Sequence, residues 1–126
     1  MAQSGPLRDK SFAFALRVVK MARLLQQEQN EYVLSRQVLR SGTAIGALVR
    51  EAEQAESRAD FIHKLAIALK EANETEYWLM LLQKSGYISP SAGQSMLADV
   101  EELLKLLTAS IKTAKSNRKE ASYARR

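Results

Sequence analysis

Arg40-Ser41-Gly42-Thr43-Ala44-Ile45-Gly46-Ala47-Leu48-Val49-Arg50-Glu51-Ala52, in one-letter code RSGTAIGALVREA, lies inside a longer stretch whose apolar residues recur at helical spacing. A glycine in a helix interior costs about 1 kcal/mol relative to alanine, so two glycines four residues apart need a physical reason. Their neighbours Ser41, Thr43, Ala44 and Ala47 are also small. A strip of small side chains lets another helix approach closely and pack densely. The stretch therefore predicts a close helix crossing at Gly42 and Gly46, either inside a bundle or between copies of the chain.

Outward from this strip, Leu34, Val38, Ser41, Ile45, Leu48, Ala52 and Ala55 follow the alternating three–four step of one helix face, from about Val33 to Glu56. Arg36, Arg40, Thr43, Ala47 and Arg50 follow the same step on another face. A preceding helix is expected from Asp9 to Gln27. It carries two adjoining apolar rows, Phe12–Leu16–Val19 and Phe14–Val18–Met21–Leu25, with the polar run Gln26 to Asn30 holding the turn. A third helix opens at Ser57-Arg58-Ala59-Asp60, which has the form of a capping box. Its core stripe is Phe61, Leu65, Ala68, Ala72, Thr75, Leu79 and Leu82, and Gly86 is a natural C-terminal stop. Ser89-Pro90 opens a fourth helix with an N-cap followed by proline. Leu97, Val100, Leu104, Leu107 and Ile111 form its stripe.

Four helices with short connections predict an all-α, up-down-up-down antiparallel four-helix bundle. The bundle is expected over residues 9–115, after a flexible N-terminus (1–8) and before a basic tail (116–126) expected to be disordered. The 126 residues suffice for one domain with its own core. There is no cysteine, which excludes disulfides and thiolate metal sites. No apolar run approaches the roughly 18 residues of a membrane span, and no secretory signal is visible. A cytoplasmic protein without a membrane partner is expected.

The net charge of +5 hides a pattern. Residues 1–50 carry eight Lys/Arg and three Asp/Glu, residues 51–111 carry five and ten, and residues 112–126 carry six and one. A body polarised in this way suits head-to-tail association of copies, and a basic end suits anionic partners. An apolar surplus also points to self-association. Trp78-Leu79-Met80-Leu81-Leu82 is apolar all round, Ile67 and Trp78 fall on an otherwise polar row, and Leu103 and Leu106 exceed what one stripe needs.

Catalytic chemistry finds little support. A di-metal carboxylate site in a bundle needs acids on all four helices and two Glu-x-x-His pairs. Here His63 is the only histidine, and the first helix has no acid between Lys10 and Gln27. No nucleophile elbow, phosphate loop or metalloprotease motif is visible. The expectation is a protein that is not an enzyme and has no cofactor or metal.

Cations remain. Lys10, Arg17 and Lys20 lie on the first helix, Arg36, Arg40 and Arg50 on the second, and Lys112, Lys115, Arg118 and Lys119 follow the fourth. Such rows neutralise phosphates with salt-sensitive affinity. Apart from Tyr123 in the tail, no aromatic residue interleaves them, so binding to the backbone with little sequence preference is expected. The competing reading pairs Arg36, Arg40 and Arg50 with Glu51, Glu53, Glu71 or Glu74 of a neighbouring copy.

The runs LSRQVLRSGTAIGALVREA, ESRADFIHKLAIALKEANETEYWLMLL and SGYI resemble the four-helix-bundle family of ribosomal-RNA intervening-sequence proteins. That family is related to the accessory variability protein of diversity-generating retroelements. The resemblance implies a bundle that assembles into a homo-oligomeric ring, commonly a pentamer, with no enzymatic activity. It further implies RNA, DNA or an RNA-handling enzyme as partner. Ala44, Leu48 and Met80 depart from the family pattern, each toward greater hydrophobicity. With Ile67, Trp78 and Leu81 they form the expected subunit interface. Two functions stay open: a non-enzymatic nucleic-acid-associated accessory protein, and a structural self-assembly subunit whose charges serve contacts between copies.

Overall fold

The helix boundaries follow from local chemistry. The computed structural model describes residues 5–124, with side chains over residues 5–117. It contains α1 (Pro6–Gln29), α2 (Val33–Glu53), α3 (Arg58–Lys84) and α4 (Pro90–Ala124). Pro6 sits in the first turn of α1, where its missing N–H costs nothing, so the helix opens there rather than at Asp9. It also outlasts the expected turn. The chain reverses only at Asn30, whose left-handed backbone (φ 53°) lets its N–H reach the Leu25 carbonyl.

The next residue does work the sequence conceals. Glu31 is buried, and its carboxylate accepts from the backbone N–H groups of Val33 (3.1 Å), Leu34 (3.0 Å) and Ser35 (2.7 Å). It thereby satisfies the orphan donors that open α2 and places negative charge at the positive end of the helix dipole. At α3 the Ser57 hydroxyl accepts from the Asp60 N–H (3.0 Å), while the Asp60 carboxylate accepts from the Glu56 N–H (3.3 Å). The capping box is thus present but reaches one residue further back. Gly86 takes φ 85° just beyond α3, and the Ser89 hydroxyl caps α4 by accepting from the Ala92 N–H (3.1 Å). The sequence places the end of the bundle near residue 115, and α4 runs on to Ala124.

Consecutive helices run antiparallel. Arg8 meets Glu53, and Gln26 meets Ser35, at opposite ends of α1 and α2. Lys64 meets Glu51, and Thr75 meets Ser41, along α2 and α3. The Gln83 amide donates to the Pro90 carbonyl between α3 and α4, while Lys10–Glu102 and Arg17–Asp99 close α4 onto α1. The result is an up-down-up-down four-helix bundle, all α among the described residues.

The core joins Phe14, Val18 and Leu25 of α1 to Val38, Ile45 and Val49 of α2, Leu65, Leu79 and Leu82 of α3, and Val100, Leu103 and Leu107 of α4. Leu103, read from sequence as surplus, is a fully buried member of it. The buried Thr75 hydroxyl donates to Ser41 Oγ (2.9 Å), so the polar atoms of this layer satisfy each other.

Gly42 and Gly46 form a crossing inside the chain. A Cβ built on Gly42 would lie 2.9 Å from both γ-methyls of Val18. One built on Gly46 would lie 3.4 Å from the Ser11 carbonyl oxygen. The small strip of α2 thus seats α1, with Ser11 as its small counterpart. Gly93 plays a related part on α4, where a Cβ would meet the Gln83 side chain at 2.7 Å.

Candidate functional site

Three surfaces carry the chemistry read from the sequence. The first is the α2–α3 seam. Arg40 reaches across it to Glu71 (3.2 Å) and to Glu74, and Glu74 also accepts from the Trp78 indole N–H (2.9 Å). The indole hydrogen bond first, and the Arg40 guanidinium second, hold the Glu74 carboxyl below its ordinary range. The hydrogen bond with Glu74 in turn raises Arg40. Ile67, Trp78 and Leu81 are half-buried, and Trp78 packs against the chain's own core. Leu48 does the same, and Ala44 is half-buried. Met80 remains 47% exposed and neighbours Tyr77 at 56%. Of the expected apolar surplus, Met80 is the residue left facing outward.

The second surface is the α1–α4 seam, bridged by polar side chains. Lys10 pairs with Glu102 (2.6 Å), and Arg17 pairs with Asp99 and donates to Ser95 Oγ (3.0 Å). The Gln29 amide donates to the Tyr87 carbonyl (2.7 Å). Beneath these lies a groove of about 500 Å³, with Met21, Leu24, Ile88 and Met96 among its walls and Lys20 at its edge.

The third surface is the outer face of α1 and α2. Of the two apolar rows of α1, Phe12, Leu16 and Val19 face outward, with Phe12 52% and Leu16 57% exposed. The crossing at Gly42 and Gly46 turns the Ser11–Val18 side of α1 inward, and this leaves the adjoining row in solvent. Arg50 of α2 lies over the Phe12 ring, 5.4 Å from its centroid. Arg36 lies over the Tyr32 ring at 5.9 Å, and Tyr32 is itself exposed. Both distances fall within cation–π range. The absence of aromatic residues among the basic rows, read from one helix at a time, is therefore corrected. The rings come from α1 and from the residue before α2.

The expected nucleic-acid-binding residues divide accordingly. Lys10, Arg17 and Arg40 are tied to carboxylates of the same chain. Among the described residues, no carboxylate lies within ion-pair distance of Arg36 or Arg50. Lys20, Lys112 and Lys115 are exposed. Arg118 and Lys119 lie outside the residues whose side chains are described. The sequence reasoning missed Glu31 as a cap and Phe12 and Tyr32 as surface rings. No helix among the described residues is long and apolar enough to cross a membrane.

Residues 7–109 match the family described as 23S rRNA-intervening sequence protein. The chain belongs to that family. The match spans all but the last part of the intervening-sequence bundle. A similar solved structure is that of a protein with unknown function from the S23 ribosomal protein family of Bacteroides thetaiotaomicron. It is 57% identical, has a TM-score of 0.83, and the likeness covers 84% of this chain and 95% of that one. No curated protein matches. This intervening-sequence chain and that relative share one fold over the matched region.

Proposed function

We propose that this chain is a non-enzymatic, self-associating accessory protein that engages the phosphate backbone of nucleic acid. Arg36 and Arg50 carry the reading. They are exposed, free of carboxylate partners among the described residues, and held on one face by aromatic rings. A guanidinium stacked on a ring keeps its N–H edges free to donate to phosphate. Lys20, Lys112 and Lys115 add positive charge elsewhere on the exposed surface. Self-association is supported by apolar side chains left outside the core, Tyr77 and Met80 on α3 among them. Assembly as a ring, with a pentamer as the favoured count, would repeat each basic face around the particle and add weak contacts by avidity. The family match names ribosomal RNA, and RNA or an RNA-handling enzyme is the corresponding partner here.

The test is a titration of a labelled RNA and a labelled DNA against the purified protein at low and near-physiological salt, with particle mass recorded in parallel. Binding that weakens steeply with salt is expected. Arg36→Ala and Arg50→Ala should each weaken it, while Arg40→Ala, whose partners lie within the chain, should alter thermal stability more than affinity. Absence of binding at either salt by a stable oligomer would favour the purely structural subunit instead.

A further inference from the structure

We propose that the α1–α2 face binds single-stranded nucleic acid, with unpaired bases stacking on Phe12 and Tyr32 while Arg36 and Arg50 hold neighbouring phosphates. This rests on the nucleic-acid reading above and names the class of strand.

Phosphate contact alone would favour a duplex, which presents a denser row of charges. The two rings make the difference. Each sits beside a guanidinium and keeps about half of its surface in solvent, 52% for Phe12 and 45% for Tyr32. Nothing in the fold requires an exposed phenyl ring there, because the α1 core is filled by Phe14, Val18 and Leu25. Paired bases are already stacked and cannot reach a side-chain ring without being turned out of the helix. An unpaired base has a free π-face and gains by stacking on an aromatic ring or on a guanidinium plane.

Placement supports the same class. Arg36 and Arg50 lie fourteen residues apart on α2 (50 − 36), or about 21 Å at the helical rise of about 1.5 Å per residue. A strand of about six stacked nucleotides, at about 3.4 Å each, spans that distance. Because α1 runs antiparallel to α2, its row Phe12, Leu16, Val19 and Arg23 leads from the Arg50 end toward the Arg36 end. The strand would thus meet a ring and a cation at each end, with apolar side chains between them. Asp9, the acid on this side of α1, is confined to its first turn.

The experiment compares a labelled single-stranded RNA of about twelve nucleotides with the same sequence as a duplex, at one low salt concentration. Wild type, Phe12→Ala, Tyr32→Ala and Arg36→Ala/Arg50→Ala are used, with particle mass measured for each. The expected result is tighter binding of the single strand. Each ring variant should weaken single-strand binding by at least about fivefold, the low end of base–aromatic stacking, and leave duplex binding within about twofold. The double arginine variant should weaken both. Both rings are about half exposed and lie outside the core, so the variants are expected to fold, and the duplex titration checks it. Equal affinity for the two forms, or ring variants without effect, overturns this inference and leaves the nucleic-acid reading standing. A fall in particle mass for Phe12→Ala shows instead that the face is a contact between copies, and overturns it. Failure of wild type to bind either form removes the reading and the inference together.

Discussion

Gly42 and Gly46 should respond to alanine with opposite signs. At both positions the intrinsic gain of a helix interior is about 1 kcal/mol, because alanine loses less backbone entropy than glycine. At Gly42 the new Cβ would lie 2.9 Å from both γ-methyls of Val18, closer than packed carbons tolerate. Val18 is fully buried, and a valine in a helix has one strongly preferred χ1 rotamer. It cannot turn away without striking something else. Overpacking of this kind costs about 1–3 kcal/mol, so Gly42→Ala should be destabilising by about 1 kcal/mol net. At Gly46 the nearest atom is the Ser11 carbonyl oxygen at 3.4 Å, at the edge of ordinary contact. Most of the propensity gain should survive there, giving a stabilisation of up to about 1 kcal/mol. For a domain of this size about 1 kcal/mol moves Tm by roughly 4 °C. Thermal unfolding followed by circular dichroism resolves that, at matched protein concentration because self-association would shift Tm. The penalty at Gly42 should shrink in a Val18→Ala background, since the two positions share one contact. If Gly42→Ala raised Tm as much as Gly46→Ala, the close crossing would not limit packing, and this account of the two glycines would fail.

Other parts of the fold give further expectations. Glu31→Ala removes an acceptor shared by three N–H groups that open α2 and should cost about 2 kcal/mol, read as a lowered Tm. Glu74→Gln should cost about 1 kcal/mol or less at neutral pH, since Arg40 and Glu74 are both more than one third exposed. Its pH dependence is more informative. The folded-state pKa of Glu74 lies below the ordinary 4.5, so the carboxylate's contribution is fully present above about that pH. It is lost as pH falls through the lowered folded value. The difference in Tm between wild type and Glu74→Gln should therefore narrow in acid, and a constant gap would show that no such titration is coupled to folding.

The helices and most of their ends were legible because caps are local chemistry. Ser57, Gly86 and Ser89 act within a few residues of themselves, and sequence proximity suffices to read them. Glu31 escaped because a charged residue before a helix reads as solvated loop, and only burial turns its carboxylate into a cap. The two rows of α1 show a deeper limit. Phe12–Leu16–Val19 and Phe14–Val18–Leu25 have the same period, and periodicity states that rows exist, not which one faces the partner. The deciding residues were small ones. Ser11 and Ala22 lie buried on the inner side, matching the small strip of α2, and complementarity of small to small was the signal that could have oriented the helix.

Charge shows the same limit. The first fifty residues hold eight cations, which reads as one basic surface. In the fold Arg8, Lys10, Arg17 and Arg40 spend their charge on Glu53, Glu102, Asp99 and the Glu71–Glu74 pair, all within the chain. The exposed ones among these pairs add little stability, but all of them remove those cations from the field a polyanion meets. Arg36 and Arg50 are different because their neighbours are rings, which orient a guanidinium without neutralising it. The bundle therefore keeps Arg36 and Arg50 usable on the α1–α2 face, where an apolar row of α1 is also exposed, while Lys20, Lys112 and Lys115 stand elsewhere on the surface. A ligand selected by that face must offer anionic groups and flat apolar surface together, and a strand with unpaired bases does so.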